Sequence, residues 1–327
     1  MAYRKVLAMM FIQLSLLAGV IQPGSAAEEY PTKPIEIIAP YTPGSAGDMT
    51  PRLVAEIAKK YLGQPMVVVN KPGAGGAIAA ADVISSKPDG YKLTFLYNMF
   101  FITTSKTTKL PFDVNDLEPL ANFTQTKLLL FIKGDSPWKT LNDLLDYGKK
   151  NPGKIRWATV GRGISSHIDM LALFKKAGVE AIHVSYQGTP EMMSALLGGH
   201  IDAADMVYAV VRDQMRAGAL RALVTFNGRR FSDPPEIPTA LELGFPDSSM
   251  LPVFGGLYIH KNTPEKVKKT LTEAFRKVQE DVEFKKGIEK FGEELVPGGP
   301  DFVNDSIKKG EKAAIPILKE IGLYVGK

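Results

Sequence analysis

The sequence predicts an α/β protein of two domains with a ligand cleft between them. Short apolar runs alternate with segments of helical spacing, as in 35–39 followed by 49–61. Alternating units of this kind predict parallel sheets covered by helices. The alternation continues to Phe226, which gives too many strands for one open sheet. In such folds, ligands lie beyond the carboxyl ends of the strands, where the following helices begin.

Each predicted element follows from the local spacing of apolar residues. Runs rich in Val, Ile, Leu and Phe predict strands at 35–39, 66–69, 93–96, 128–132, 155–158, 181–184, 201–204 and 220–226. Apolar residues three and four apart, or runs of small residues after a loop, predict helices at 49–61, 77–85, 141–149, 168–177, 191–197 and 207–217.

Composition excludes several classes of function. The chain has 327 residues and a formal net charge of +5. Loss of Arg4 and Lys5 with a leader would leave 38 basic and 35 acidic residues, hence +3. The basic residues are dispersed, so we expect no nucleic-acid partner. The absence of cysteine excludes disulfides, thiol nucleophiles, Cys-based zinc sites and a lipid-modified N-terminal cysteine.

The N-terminus has the pattern of a secretory signal peptide over residues 1–27. Arg4 and Lys5 precede a largely apolar run, 6–20, and small residues at 24–27 offer a cleavage site after Ala26 or Ala27. The apolar run is shorter than the roughly 20 residues that span a bilayer, although an uncleaved anchor is the alternative. We therefore expect an exported, periplasmic protein.

The motifs of common enzymes are missing. The four histidines form no H-E-x-x-H, and the sequence contains neither G-x-S-x-G nor a P-loop. Gly73-Ala74-Gly75-Gly76 follows a strand, but Ile78 stands where a dinucleotide fingerprint needs its third glycine, which favours a tight turn. We expect no catalysis, no cofactor and no metal.

Two loops between a strand and a helix have the chemistry of an anion site. They are 40–48, Pro-Tyr-Thr-Pro-Gly-Ser-Ala-Gly-Asp, and 159–167, Thr-Val-Gly-Arg-Gly-Ile-Ser-Ser-His. Small residues expose backbone amides there, hydroxyls add donors, and each helix start carries positive potential. The alternative is that serine and glycine only form caps and turns. Two such loops in one chain predict a two-sided clamp on a carboxylate.

Other polar and aromatic residues are weaker candidates. Asp48 and Arg52 are four residues apart, which favours a pair on a helix surface. Asp205 near a strand end could face the cleft or serve as a turn or cap residue. The segment 97–101, Tyr-Asn-Met-Phe-Phe, follows a strand and could line the cleft, where one or two inward rings would favour a ligand with an apolar body, or could pack in the core.

The sequence resembles the Bug family, the substrate-binding proteins of tripartite tricarboxylate transporters. The most distinctive match is Asn70-Lys71-Pro72-Gly73-Ala74-Gly75-Gly76. The other matching segments are 30–35, 40–48 with Arg52, 62–65, 87–91, 116–120, 161–167, 183–188, 196–202, 237–239 and 242–244. The chain departs from the family pattern at Ser45, Gly47, Ile164 and Ser185, so the ligand is not transferable from a relative.

The resemblance implies a two-domain periplasmic-binding-protein (Venus-flytrap) fold. One domain would comprise 28–127 and 251–327, and the other 128–250. It also implies a monomer that captures a small organic carboxylate for the membrane subunits of such a transporter. The alternatives are a periplasmic ligand sensor and an α/β hydrolase. The expected ligand-binding residues are Tyr41, Thr42, Ser45, Ala46, Gly47, Asp48, Asn98, Met99, Gly161, Arg162, Gly163, Ile164, Ser165, Ser166, His167, Tyr186 and Asp205.

Overall fold

The computed structural model describes residues 30–248 and 251–326, which form two β-sheets with flanking helices. The predicted leader, 1–27, lies outside the described residues. The strands are β1 Ile35–Ala39, β2 Met66–Asn70, β3 Lys92–Tyr97, β4 Leu117–Gln125, β5 Leu128–Lys133, β6 Ile155–Thr159, β7 Ala181–Ser185, β8 Ala203–Val207, β9 Leu220–Thr225, β10 Phe254–His260 and β11 Glu294–Gly298. The longer helices are α1 Ala46–Leu62, α2 Ala77–Ile84, α3 Leu141–Lys150, α4 Ser165–Ala177, α5 Thr189–Leu197, α6 Tyr208–Arg216, α7 Glu265–Glu280, α8 Val282–Lys290 and α9 Pro300–Glu320.

The first sheet has the strand order β11-β4-β10-β3-β1-β2. Strands β1, β2 and β3 run parallel, whereas β10 and β11 are antiparallel to β4. Only Glu36 of β1 is exposed, as expected for a strand covered on both faces. Phe123 of β4 packs edge-on against Phe275 of α7 and Phe284 of α8. Helix α1 ends at Gly63, whose φ of 70° suits a left-handed cap.

The second sheet has the order β7-β6-β8-β5-β9. Strands β6, β7 and β8 are parallel, and β5 is antiparallel to both β8 and β9. Its two faces carry separate apolar clusters, one around Trp157 and Leu144 and the other around Phe131 and Met206. Helix α3 begins with a capping box in which the Thr140 hydroxyl and the Asp143 carboxylate bind each other's backbone amides.

Both sheets are mixed, because antiparallel strands lie beside the parallel strands that the βα alternation predicted. Strands β4 and β5 are joined only by Thr126 and Lys127, and the chain passes directly from one sheet to the other. Strand β5 begins beside the carboxyl end of β8, since Leu128 pairs with Val207. A strand that begins at the carboxyl ends of the parallel strands must run antiparallel to them. The predicted alternation of strands and helices is confirmed.

The chain connects the two sheets twice, through Thr126 and Lys127 between β4 and β5 and through the return segment between β9 and β10. These two connections together form the joint between the sheets. Gln125 Nε2 donates a 2.6 Å hydrogen bond to Asn227 Oδ1 across this joint. Helix α9 also reaches the second sheet's helices, because Ala314 and Leu318 pack with Ile168 of α4. Within the part of the chain that the structure describes, no helix has the length and hydropathy of a membrane span.

Candidate ligand-binding site

The first predicted loop joins β1 to α1 and is tightly folded on itself. Ser45 is the N-cap residue of α1, but its hydroxyl does not cap the helix and instead donates to the Thr42 carbonyl at 2.8 Å. The amide of Ser45 also donates to Thr42, and the amide of Asp48 donates back to Ser45. The amides of Ala46 and Gly47 lie in the first helical turn, where no intrahelical acceptor exists.

The carboxylate of Asp48 holds this loop in shape. It accepts hydrogen bonds from the Gly44 amide at 2.8 Å, Arg52 Nε at 2.8 Å and Asn70 Nδ2 at 2.6 Å. Burial raises the pKa of Asp48, but these hydrogen bonds outweigh burial and hold it below its usual value. The predicted pair with Arg52 is present, yet Asp48 is buried and not on the helix surface. Its oxygens are therefore occupied by the protein itself.

Gly47 is required by the ring of Tyr41. A Cβ atom at Gly47 would lie 2.5 Å from the Tyr41 ring, which is too close for any side chain. The ring of Tyr41 packs edge-on against Tyr97 at 5.3 Å, and burial raises the pKa of Tyr41 above its ordinary value. Gly47 thus brings the start of α1 close to the end of β3.

The second predicted loop joins β6 to α4 and depends on two glycines. Gly161 and Gly163 have φ values of 153° and 78°, in the region that favours glycine. A Cβ at Gly163 would also meet Leu323 at 3.0 Å, so this loop lies against the segment after α9. Ile164 precedes α4 as its N-cap, and the side chains of Ser165 and Ser166 in the first turn are buried.

Two histidine rings and a tryptophan ring pack against one another beside this second loop. His167 and His183 have ring centroids 4.4 Å apart, and both contact Trp157. His167 Nδ1 accepts from the Gly163 amide at 3.3 Å, and His183 Nε2 lies 2.8 Å from the Thr159 hydroxyl. The pKa of both histidines is lowered to about 4, mainly by burial; Arg162 contributes to both shifts, and His183 contributes more than Arg162 to that of His167. The pair is therefore neutral at physiological pH.

Arg162 is exposed on this loop and forms no ion pair with any described residue. Its guanidinium can reach solvent or a bound anion. Tyr186, at the end of β7, donates its amide to the Thr159 carbonyl at 3.0 Å and packs partly against the second sheet's core.

Asp205 lies inside β8, opposite Leu130 of β5, and is not a turn or cap residue. The sequence pattern placed the end of this strand at Ala204, whereas the strand extends to Val207. Asp205 is 2% exposed. Neither of its oxygens has a well-formed hydrogen bond, although the Ser166 hydroxyl is near enough to influence it. Burial raises the pKa of Asp205 to about 7, against a smaller lowering by Ser166.

Asn98 and the aromatic residues after β3 have structural roles. The Asn98 side chain donates to the Pro252 carbonyl at 3.1 Å and accepts from the Phe254 amide at 2.9 Å, which fixes the return strand. Met99 packs with the interdomain cluster around Leu318. Phe100 and Phe101 are buried in the core of the first domain. These two rings therefore give no support to an apolar ligand.

The structure brings some of the candidate residues together and leaves others apart. The Gly163 amide donates to His167, the Tyr186 amide donates to the Thr159 carbonyl, and Ser166 lies near Asp205. No hydrogen bond or ion pair joins the two loops among residues 30–248 and 251–326. Sequence reasoning missed a small pocket at the joint between the sheets, because its members come from distant segments. Its lining includes Gln125, Thr126, Asp169, Thr225 and Asn227 beside Asp205.

Comparison with known proteins decides the family. A family model described as the tripartite tricarboxylate transporter family receptor, TctC, matches residues 50–323. This chain belongs to that family. The match includes strands of both sheets, the second loop, Asp205 and the joint, whereas β1 and the first loop precede it. The resemblance to the Bug proteins is confirmed, because the chain is 30% identical to BugT of Bordetella pertussis over 89% of this chain and 91% of that protein.

Other relatives of this receptor family agree in sequence and fold. The chain is 36% identical to a UPF0065 protein of Cupriavidus necator over 91% of this chain and 90% of that protein. A TctC solute-binding protein from Polaromonas superposes with a TM-score of 0.77 at 28% identity, over 89% and 99% of the two chains. MatC from Rhodopseudomonas palustris, solved with bound malate, gives 0.71 at 25% identity over 87% and 100%. The predicted two-domain binding-protein fold is confirmed.

Proposed function

We propose that this protein is a periplasmic solute-binding protein, and not an enzyme, that captures a small organic carboxylate for the membrane subunits of a tripartite tricarboxylate-type transporter. The observation that carries the proposal is the pair of helix starts. Helices α1 and α4 begin at the carboxyl ends of β1 and β6, which belong to different sheets. Helix N-termini of this kind attract anions through free amides and the helix dipole. The malate bound to MatC supports a carboxylate as the ligand.

The donors that the proposal assigns to the carboxylate are backbone amides. In the first loop they are the amides of Ala46 and Gly47. Other polar groups of this loop are already bonded within it, since the Gly44 amide donates to Asp48 and the Ser45 hydroxyl donates to Thr42. In the second loop they are the amides of Ile164, Ser165 and Ser166, since the Gly163 amide already donates to His167. The hydroxyls of Ser165 and Ser166 add donors at the same helix start.

Capture would proceed by closure of two domains about the joint. We propose the domain division that the sequence suggested, with 28–127 and 251–327 in one domain and 128–250 in the other. The short passage Thr126–Lys127 between β4 and β5 suits a hinge, because few residues absorb the change in backbone angles. Closure would bring the starts of α1 and α4 onto one ligand. A monomer is sufficient for this mechanism.

Thermal-shift and calorimetric screening tests the proposal directly. The purified protein would be challenged with mono-, di- and tricarboxylic acids and, as matched controls, their uncharged methyl esters. An acid at 100 times its Kd should stabilise the protein by about 2.7 kcal/mol, and the ester should not. Uptake of the same acid into vesicles that carry the transporter's membrane subunits should require the binding protein. Equal binding of acid and ester, or uptake without the protein, would contradict the proposal.

A further inference from the structure

The end of α9 and the segment after it lie against the second loop. Helix α9 and Thr107 both follow strands of the first sheet, whereas Gly163 follows β6 of the second sheet. A Cβ atom on Gly163 would lie 3.0 Å from Leu323 Cδ1, 3.4 Å from Thr107 Cγ2 and 3.5 Å from Leu318 Cδ2. Gly163 itself is buried. Side chains that follow strands of the first sheet therefore cover the backbone of a loop that belongs to the second.

The segment after α9 is held in place by its backbone. Gly322 has a φ of 71°, and the Leu323 amide donates back to the last turn of α9 at 2.9 Å, so the chain folds back on the helix end. The Val325 amide then donates to the Lys106 carbonyl at 2.7 Å. Lys106 belongs to the short helical turn 105–107, which also carries Thr107. The hydrogen bond therefore joins the two segments that contact the second loop.

The contact between α9 and α4 is mainly apolar. Leu318 of α9 and Ile168 of α4 are both buried in one cluster, and Leu323 packs against it. Lys175 Nζ of α4 also lies 2.7 Å from Glu320 Oε1 of α9, but both side chains are exposed. An exposed ion pair contributes little to stability, so the apolar cluster holds the start of α4 against α9.

Gly163 directly precedes the amides of 164–166, which the proposed function assigns to the carboxylate. Its own amide donates to His167 Nδ1 at 3.3 Å, and its φ of 78° sets the direction in which the chain enters α4. Amides at a helix start bind an anion only when they point to one place. A loop that also adopts other conformations binds more weakly, in proportion to the fraction that is competent. A neighbour that restrains Gly163 therefore raises affinity without touching the ligand.

We propose that Leu323, together with Thr107, is a positioning residue that holds the second loop in its carboxylate-binding conformation. The proposal rests on the proposed function and adds to it two residues outside the two loops. Neither residue touches the carboxylate, and both act through Gly163. The binding site is then complete only while the second loop lies against the end of the chain.

Hydrogen exchange in the ligand-free protein tests the contact itself. Leu323→Ala should make the hydrogen-bonded amides of Gly163 and Ile168 exchange at least about fivefold faster, because less apolar contact restrains the loop. The amide of Val179, just beyond the other end of α4, is the internal reference and should not change. Val325→Ala is the matched control, because this side chain in the same segment is 54% exposed, and it should alter none of these rates. Unchanged exchange of both loop amides in Leu323→Ala overturns the proposal.

Titration calorimetry with malate, citrate, adipate and benzoate then tests the effect on binding. With the acid that the unmodified protein binds most tightly, Leu323→Ala should weaken affinity at least about fivefold, and Leu323→Met, which keeps the volume, should restore it. Thr107→Ser removes the methyl group that faces Gly163 and should weaken affinity, whereas Thr107→Val keeps that group and should not. Unchanged affinity in Leu323→Ala overturns the proposal while the proposed function stands. If none of the four acids binds to the unmodified protein, both are overturned.

Discussion

Lys127 Nζ lies 3.3 Å from Glu294 Oε2, and both side chains are almost fully buried. Lys127 stands in the passage between the two sheets, and Glu294 begins β11 of the first sheet. The same ammonium group donates to the Asp233 carbonyl at 2.9 Å, in the segment that follows the second sheet. Lys127 therefore links the connection between the sheets to β11 of the first sheet and to the segment that follows β9.

We expect Lys127→Met to destabilise the protein by about 3 kcal/mol, because loss of one partner leaves a buried charge without its pair. The hydrogen bond from Ser232 and the contact of Arg229 with Glu294 keep the effect at the lower end of the usual range. The matched control is Lys133→Met, whose partner Asp135 is exposed, and it should cost less than about 1 kcal/mol. Urea unfolding measures both variants. Equal losses of unfolding free energy in the two variants would show that the buried ion pair contributes no more to stability than the exposed one.

The raised pKa of Asp205 should make the free energy of unfolding depend on pH. Its folded-state pKa of about 7 is raised above the ordinary value of 3.8, so its favourable contribution is complete below pH 3.8 and is lost as the pH rises towards 7. Between pH 5 and pH 8, unfolding free energy should therefore fall more in the native protein than in Asp205→Asn, by about 2 kcal/mol. The measurement is urea unfolding without ligand at both pH values.

Other groups titrate in this range but do not obscure the comparison. Burial raises the pKa of Glu293 to about 7, so its contribution has the same sign as that of Asp205. The pKa values of His167 and His183, lowered to about 4, give stability that increases with pH up to about 6.5. These groups remain in both proteins, so their effects cancel in the difference. An identical pH profile for Asp205→Asn would contradict the raised pKa.

The local sequence was sufficient to predict the βα units and the two loops. Apolar spacing located β1, α1, β6 and α4, and the four-residue spacing of Asp48 and Arg52 predicted their contact. The pattern gave no strand for β10, because Gly255 and Gly256 weaken it. The structure shows why glycine is needed there: a Cβ at Gly256 would lie 2.5 Å from the Ala121 carbonyl oxygen on β4.

Features that depend on distant residues could not be predicted. Lys127 and Glu294 meet only because β11 pairs with the end of β4. The burial of Asp205 depends on β5 covering β8 and on the return segment closing the pocket. Asn98 could be placed after a strand, but its bonds to Pro252 and Phe254 join positions more than 150 residues apart. Short-range periodicity contains no information about such contacts.

Export should remove the predicted leader. The positive residues, apolar run and small residues of 1–27 have the order of a signal peptide, so the periplasmic protein should begin at Ala27 or Glu28. Intact-mass spectrometry of the protein from a periplasmic extract measures this start. As a control, replacement of Ala26 and Ala27 by bulky residues should slow cleavage and leave the precursor. A periplasmic protein that retains Met1 or Ala2 would contradict the expectation.

The proposed carboxylate site predicts a larger loss of affinity when Ser165 is replaced than when Arg162 is replaced. Ser165 lies in the first turn of α4 with a buried side chain, whereas Arg162 is exposed on the loop. Loss of a hydroxyl that donates to a charged group costs about 1.5–3 kcal/mol, so Ser165→Ala should weaken binding roughly 10- to 150-fold. Arg162→Ala should weaken binding of a monoacid less, and approach that effect only if a second acidic group reaches the guanidinium. Titration calorimetry on both variants, with the acid found by screening, measures the difference. Normal binding by Ser165→Ala together with loss of monoacid binding by Arg162→Ala would show that a salt bridge, and not the amides of α4, holds the carboxylate.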